Sequence, residues 1–217
     1  MPGLPSYPVS DTALAAALAV LGVPHDDNHA VTHHVDTSDN SERLQWWFRD
    51  ASTTDPERRT ELICECWSDR ATFEAANPMH PLVSMRAAHD ARTWCLAVIF
   101  GSLPLLVTRT ASRDPYRTQS LRDAALLKAC GQVPVRFEGR TFTFANAPAC
   151  REILATAGKA RGSSPQQWMR HFLCTYDNFL AAAKAADTRL LIKEGDRTLN
   201  LSANASAKVR HDFLNIL

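Results

Sequence analysis

Apolar positions recur along this chain with two periods, near four and near two, and each change of period marks an element. Residues 12–21, TALAAALAVL, are apolar almost throughout, with Ser10 and Asp11 ahead as caps and Gly22 behind as a stop. That stretch predicts a helix. Residues 24–42 lose their periodicity and fill with Asp, Asn, His and Ser, so they read as loop with a short strand around Val31–Val35. RLQWWFRD (43–50) reads as a strand whose alternation turns Trp46 and Phe48 to one face and Trp47 to the other. Asp55, Pro56 and Glu57 form a helix start, and RRTELICECW continues it with Leu62, Ile63, Cys66 and Trp67 on one face. NPMHP (77–81) breaks the chain, and HPLVSMRAAHDARTWCLAVIFG predicts a longer helix that Gly101 ends. After it, LPLLVT reads as a strand and ASRDPYRTQS as an exposed loop. Ser120 caps LRDAALLKACG, a short helix closed by Gly131.

Two later stretches share a device. VPVRFEGRTFTFANA (133–147) and LLIKEGDRTLNLSAN (190–204) align without a gap at an offset of 57, with Arg-Thr after each turn. With Glu138-Gly139 as a two-residue turn, Val135 pairs with Phe142 and Val133 with Phe144. Val133, Val135, Phe137, Phe142 and Phe144 then share one face. With Gly195-Asp196 as the second turn, Leu190, Ile192, Leu199 and Leu201 do the same. Arg140 and Arg197 fall on these apolar faces at the turn end. A helix is predicted before and after each hairpin: 147–157 follows the first, and Ser164 with Pro165 starts a long helix running to about Ala186.

The expected fold is therefore α+β, predominantly helical, with two or more β-hairpins and a duplicated helix–hairpin–helix unit. Residues 1–101 form an acidic-to-neutral N-terminal region and residues 102–217 a basic C-terminal one, with the boundary near 101–119. No apolar run reaches the roughly 18–20 residues of a membrane span. The short apolar stretch 13–21 follows Asp11 rather than a basic segment, so no signal peptide and no membrane partner are expected.

Composition refines this picture in two ways. The six cysteines lie mostly inside apolar helical patterns, which suits reduced, buried thiols and a cytoplasmic location better than a disulfide framework. The net charge of +1 hides a split. Residues 1–57 hold nine Asp/Glu and two Lys/Arg; residues 101–217 hold seventeen Lys/Arg and nine Asp/Glu. A basic half can meet a polyanion, or it can be neutralised by the acidic segment.

Three function classes follow. The leading expectation is a non-enzymatic cytosolic binding or regulatory protein that acts through protein partners or self-association without a cofactor, and Trp47 is its candidate contact residue. The second is a nucleic-acid binder. VTRTASRDPYRTQSLRD (107–123) carries Arg109, Arg113, Arg117 and Arg122 around Tyr116, and Arg136 and Lys193 decorate the hairpins. Arginine suits phosphate and tyrosine can stack on a base, as in a recognition helix followed by a basic wing. The third is a metal-dependent enzyme using the loop His25–Asp36, where His25, His29 and His33 would stack only on a helix. Pro24 and the β-branched residues oppose a helix there, and no HExxH or HxH completes a site. Cys64 and Cys66, two apart on a predicted helix, point to different faces and read as buried thiols.

Overall fold

The computed structural model describes residues 7–23, 32–36, 41–48, 67, 69–103, 114–159 and 163–193, and among these not the side chains of 7, 32–36, 41–44, 70 and 185–193. The described strands are β1 (Tyr7–Val9), β2 (Thr32–Asp36), β3 (Ser41–Phe48), β4 (Tyr116–Thr118), β5 (Pro134–Glu138) and β6 (Thr141–Phe144). The helices are α1 (Thr12–Val20), α2 (Arg70–Ala76), α3 (Pro81–Ile99), α4 (Leu121–Ala129), α5 (Ala147–Gly158) and α6 (Pro165–Lys193). The fold is α+β, with helical residues in the majority and two hairpins, β2–β3 and β5–β6. The chain divides into two compact units, residues 1–65 with 175–217, and residues 66–174. The boundary expected near 101–119 falls inside the second unit.

In the first unit, Asp11 caps α1: its Oδ1 accepts from the N–H groups of Ala13 at 2.7 Å and Leu14 at 2.9 Å. Gly22, at φ +81°, ends the helix; its N–H reaches the Ala19 carbonyl and that of Val23 reaches Leu18. Between these caps, Ala13 to Leu18 are all buried, so α1 is a core helix on every side, and small alanines let neighbours come close. The sheet order is β1-β3-β2. Val9 pairs with Trp46 and Pro8 with Trp47. Alternation along β3 therefore buries Trp46 and Phe48 and leaves Trp47 half-buried on the other face, as the sequence predicts. The indole N–H of Trp46 donates to Thr12 Oγ1 at 3.3 Å, and its ring lies 4.5 Å from that of Phe179 on α6.

In the second unit, α3 starts at His80, whose Nδ1 accepts from the Leu82 N–H at 3.2 Å. Accepting there requires a neutral imidazole, and burial lowers the His80 pKa, which favours that form. Leu82, Met85, Ala88, Ala91, Cys95 and Val98 make one buried stripe. Gly101 and Gly131, both with positive φ, close α3 and α4 as expected. Helix α4 buries Ala124 to Leu127 and packs against α3, with Lys128 Nζ 4.8 Å above the Trp94 ring. Helices α4 and α5 pack on β4. Ser164 and Gln167 cap α6 reciprocally: each side chain accepts from the other's backbone N–H.

Four expectations are corrected. ASRDPYRTQS is not all loop, because Tyr116–Thr118 is strand β4, paired with β6. The first hairpin turns at Gly139-Arg140, both with positive φ, and not at Glu138-Gly139. Glu138 therefore pairs with Thr141 and Phe137 with Phe142. An irregularity between Pro134 and Arg136 shifts the phase of β5, so Pro134 and Phe137 both reach the core side. Val135 is half-buried and Val133 stands 66% exposed, so the apolar face is Pro134, Phe137, Phe142 and Phe144. The second predicted hairpin loses its first arm: residues 190–193 continue α6, which runs past Ala186 to Lys193. No breaker lies between Ala186 and Lys193, and extending a helix costs less than nucleating a new strand pair. The expected second copy of the unit therefore lacks its first strand; residues 194–204 lie outside the described residues. The helix expected from Asp55 through Cys66 and the strand expected at LPLLVT also fall mostly outside them.

Candidate functional site

The sheet of the second unit has two unlike faces. Its order is β4-β6-β5, and cross-strand partners in an antiparallel pair point the same way. Tyr116, Phe144 and Pro134 form one row on the core face; Thr118, Phe142 and Phe137 form the next, with the Phe137 and Phe142 rings 4.6 Å apart. The other face carries Arg117, Thr143 and Arg136 in a row across all three strands. Beside them lie Gln119, Thr141 and Glu138, where Gln119 Nε2 donates to Thr141 Oγ1 at 3.3 Å. Arg117, Arg136 and Arg140 are exposed, and Arg140 sits at the turn.

The unit that holds this sheet is basic. Residues 66–174 contain fourteen Lys/Arg and seven Asp/Glu, a balance of +7, and the other unit has ten against sixteen, a balance of −6. Several of the fourteen are engaged. Arg86 donates from Nη1 to the Trp67 carbonyl at 3.1 Å, lies 5.1 Å from that ring, and pairs with Asp90. Arg151 pairs with Asp114 at 3.3 Å, and Arg136 pairs with Glu138 on the sheet face. Arg117 and Arg140 make no ion pair among the described residues.

The sequence candidates divide accordingly. Arg117 and Arg136 come together in one row, whereas Tyr116, next to Arg117 in sequence, points to the opposite face. Burial and then the Asp123 carboxylate push the Tyr116 phenol up, which fits its place beside Phe144 and not on a wet stacking surface. Arg122 is half-buried on α4, and Trp47 is half-buried on β3 beside exposed Pro8. Lys193 is the last residue of α6, with its side chain outside the described set. Arg109, Arg113, His25 and His29 also lie outside it. His33 is on β2 opposite Leu44, which is extended rather than helical backbone. Among the described residues, no group of three His, Cys, Asp or Glu is placed to hold a metal ion. Sequence reasoning set Arg140 aside on the apolar face. The positive φ at Gly139 and Arg140 moves it into the turn.

Three of the described thiols are chemically quiet. Burial pushes Cys95 up to about 12 and Cys130 up to about 11, and it raises Cys150 as well. These groups stay protonated at neutral pH and are poor nucleophiles. No described helix is long and apolar enough to cross a membrane. Comparison of the chain with protein-family models, with curated proteins and with solved structures gives no match.

Proposed function

We propose that this protein is a non-enzymatic binding protein that works through contact with another protein chain. The observation that supports this reading is the end of α3. There Phe100 caps the helix while 49% exposed, and Leu103 follows while 42% exposed. The N–H groups of Ser102 and Leu103 both fold back onto the Ala97 carbonyl. The turn is therefore fixed, and it holds two large apolar side chains close together at the surface. Holding their exposed parts in water forgoes on the order of 1 kcal/mol each of burial, which a partner surface would recover.

The test places a photo-crosslinking phenylalanine analogue at position 100 of the full chain in its host cells. A discrete adduct that Leu103→Ser removes supports the reading, and its mass tells a second copy of this chain from another protein. Absence of any adduct, together with a concentration-independent monomer in sedimentation, overturns it.

A further inference from the structure

We infer a second binding surface, independent of the end of α3: the solvent face of the β4-β6-β5 sheet is a docking site for the phosphate backbone of duplex nucleic acid. Three observations lead there. First, strand register, not sequence proximity, sets Arg117 and Arg136 on either side of Thr143. Two strand spacings separate the arginines, about 10 Å, and Arg140 extends the patch to the turn. About 10 Å of duplex axis carries roughly six phosphates, so three guanidinium groups on such a patch face several anions at once. Second, Arg117, Arg140, Thr143 and Gln119 are all hydrogen-bond donors, and Arg117 and Arg140 hold no ion pair among the described residues. Third, the surrounding unit has a balance of +7, which draws a polyanion toward it over a Debye length.

The occupant is a duplex because of what this face lacks. Sheets that bind single strands stack bases on aromatic side chains. The aromatic residues of this sheet, Tyr116, Phe137, Phe142 and Phe144, all belong to the core face. A duplex hides its bases and turns its phosphates outward, so Arg, Thr and Gln suffice. Without a base-reading element on this face, its contacts are independent of base sequence. Glu138 pairs with Arg136 and offsets part of its charge, so Arg117 and Arg140, which hold no ion pair among the described residues, are the stronger phosphate contacts on either side of it.

The experiment titrates the full chain against a fluorescent mixed-sequence DNA duplex over a range of salt. The logarithm of affinity should fall linearly with the logarithm of salt, by about 0.9 per phosphate contact. Changing Arg117, Arg136 and Arg140 together to Ala should flatten that slope by roughly 2–3. Changing them to Lys should leave most of it. A control triple, Arg151→Ala, Lys159→Ala and Arg170→Ala, removes equal charge elsewhere in the unit and should leave both affinity and slope much nearer the parent's. Two unrelated duplex sequences should bind alike. Equal effects from the two alanine triples would overturn the proposal in favour of undirected net charge. So would no binding at low salt, or a preference for a single strand or an acidic polypeptide over the duplex. Thermal melting of each variant separates lost binding from lost fold.

Discussion

The two sheets have the same plan and reach it by different means. Each has three antiparallel strands with the last of its hairpin in the middle, β3 in one and β6 in the other. Within β3, alternation is strict over its pairing with β1: Trp46 and Phe48 go inward, and Trp47 goes the other way. The second sheet needs two local departures, a phase shift at Val135 and a turn with two left-handed residues, before Pro134, Phe137, Phe142 and Phe144 share a face. The first sheet takes its order from the period of its side chains. In the second, the backbone has to break that period. The irregularity has a further use: Pro134, which has no N–H, and the shifted Val135 blunt the free edge of β5 against pairing with other strands.

The largest expected effect tests the phase shift directly. Phe144→Ala should cost about 3–5 kcal/mol, since it empties a fully buried position. Val135→Asp should cost under about 1.5 kcal/mol, as a half-buried position allows. Urea denaturation of both variants decides; a cost for Val135→Asp as large as that for Phe144→Ala would restore the regular register and remove the contrast between the sheets. A smaller effect belongs to the first sheet. Thr12→Val removes the hydrogen bond from the Trp46 indole N–H to Thr12 Oγ1 and should cost about 0.5–1.5 kcal/mol. If its stability matches the parent, the tie from α1 to β3 carries nothing. The last effect, of similar size, is a gain. Arg140 holds φ 65°, a conformation that costs a residue with a Cβ roughly 1 kcal/mol, so Arg140→Gly should raise stability by about that much. A loss on that substitution would mean that the arginine side chain itself secures the turn.

The same contrast explains what could be read in advance. Gly22, Gly101 and Gly131 were legible as helix ends because a left-handed terminal residue has a chemical signature. Trp46 and Phe48 were legible because period two is undisturbed there. The hairpin at 134–144 was legible as an element but not in register. Phe142 and Phe144 fix one arm, and both Val133/Val135/Phe137 and Pro134/Phe137 supply an apolar partner set; only the backbone chooses between them. Strand β4 escaped notice because three residues cannot show a period, and β6 supplies its reason for being extended. The stretch 190–193 alternates like a strand, yet it is the unbroken end of a helix. For the surface site, the sequence supplied Arg117 and Arg136 as separate basic residues. Their meeting across Thr143 is a fact of register, and register also removes Tyr116 from their company.

One feature of the chain's layout acts before the fold exists. Trp46 packs against Phe179, and both belong to a unit assembled from residues 1–65 and 175–217. The ribosome delivers these halves in that order, with residues 66–174 between them. At about 5–20 residues per second, that intervening stretch takes roughly 5–20 seconds to emerge. For that interval β1, α1, β2 and β3 are nascent chain without their closing helix, and the large aromatic surface of Trp46 has no Phe179 to meet. The unit made from a single stretch is complete in the cell while the first-made residues are still waiting for the last, and during those seconds a chaperone has something to hold.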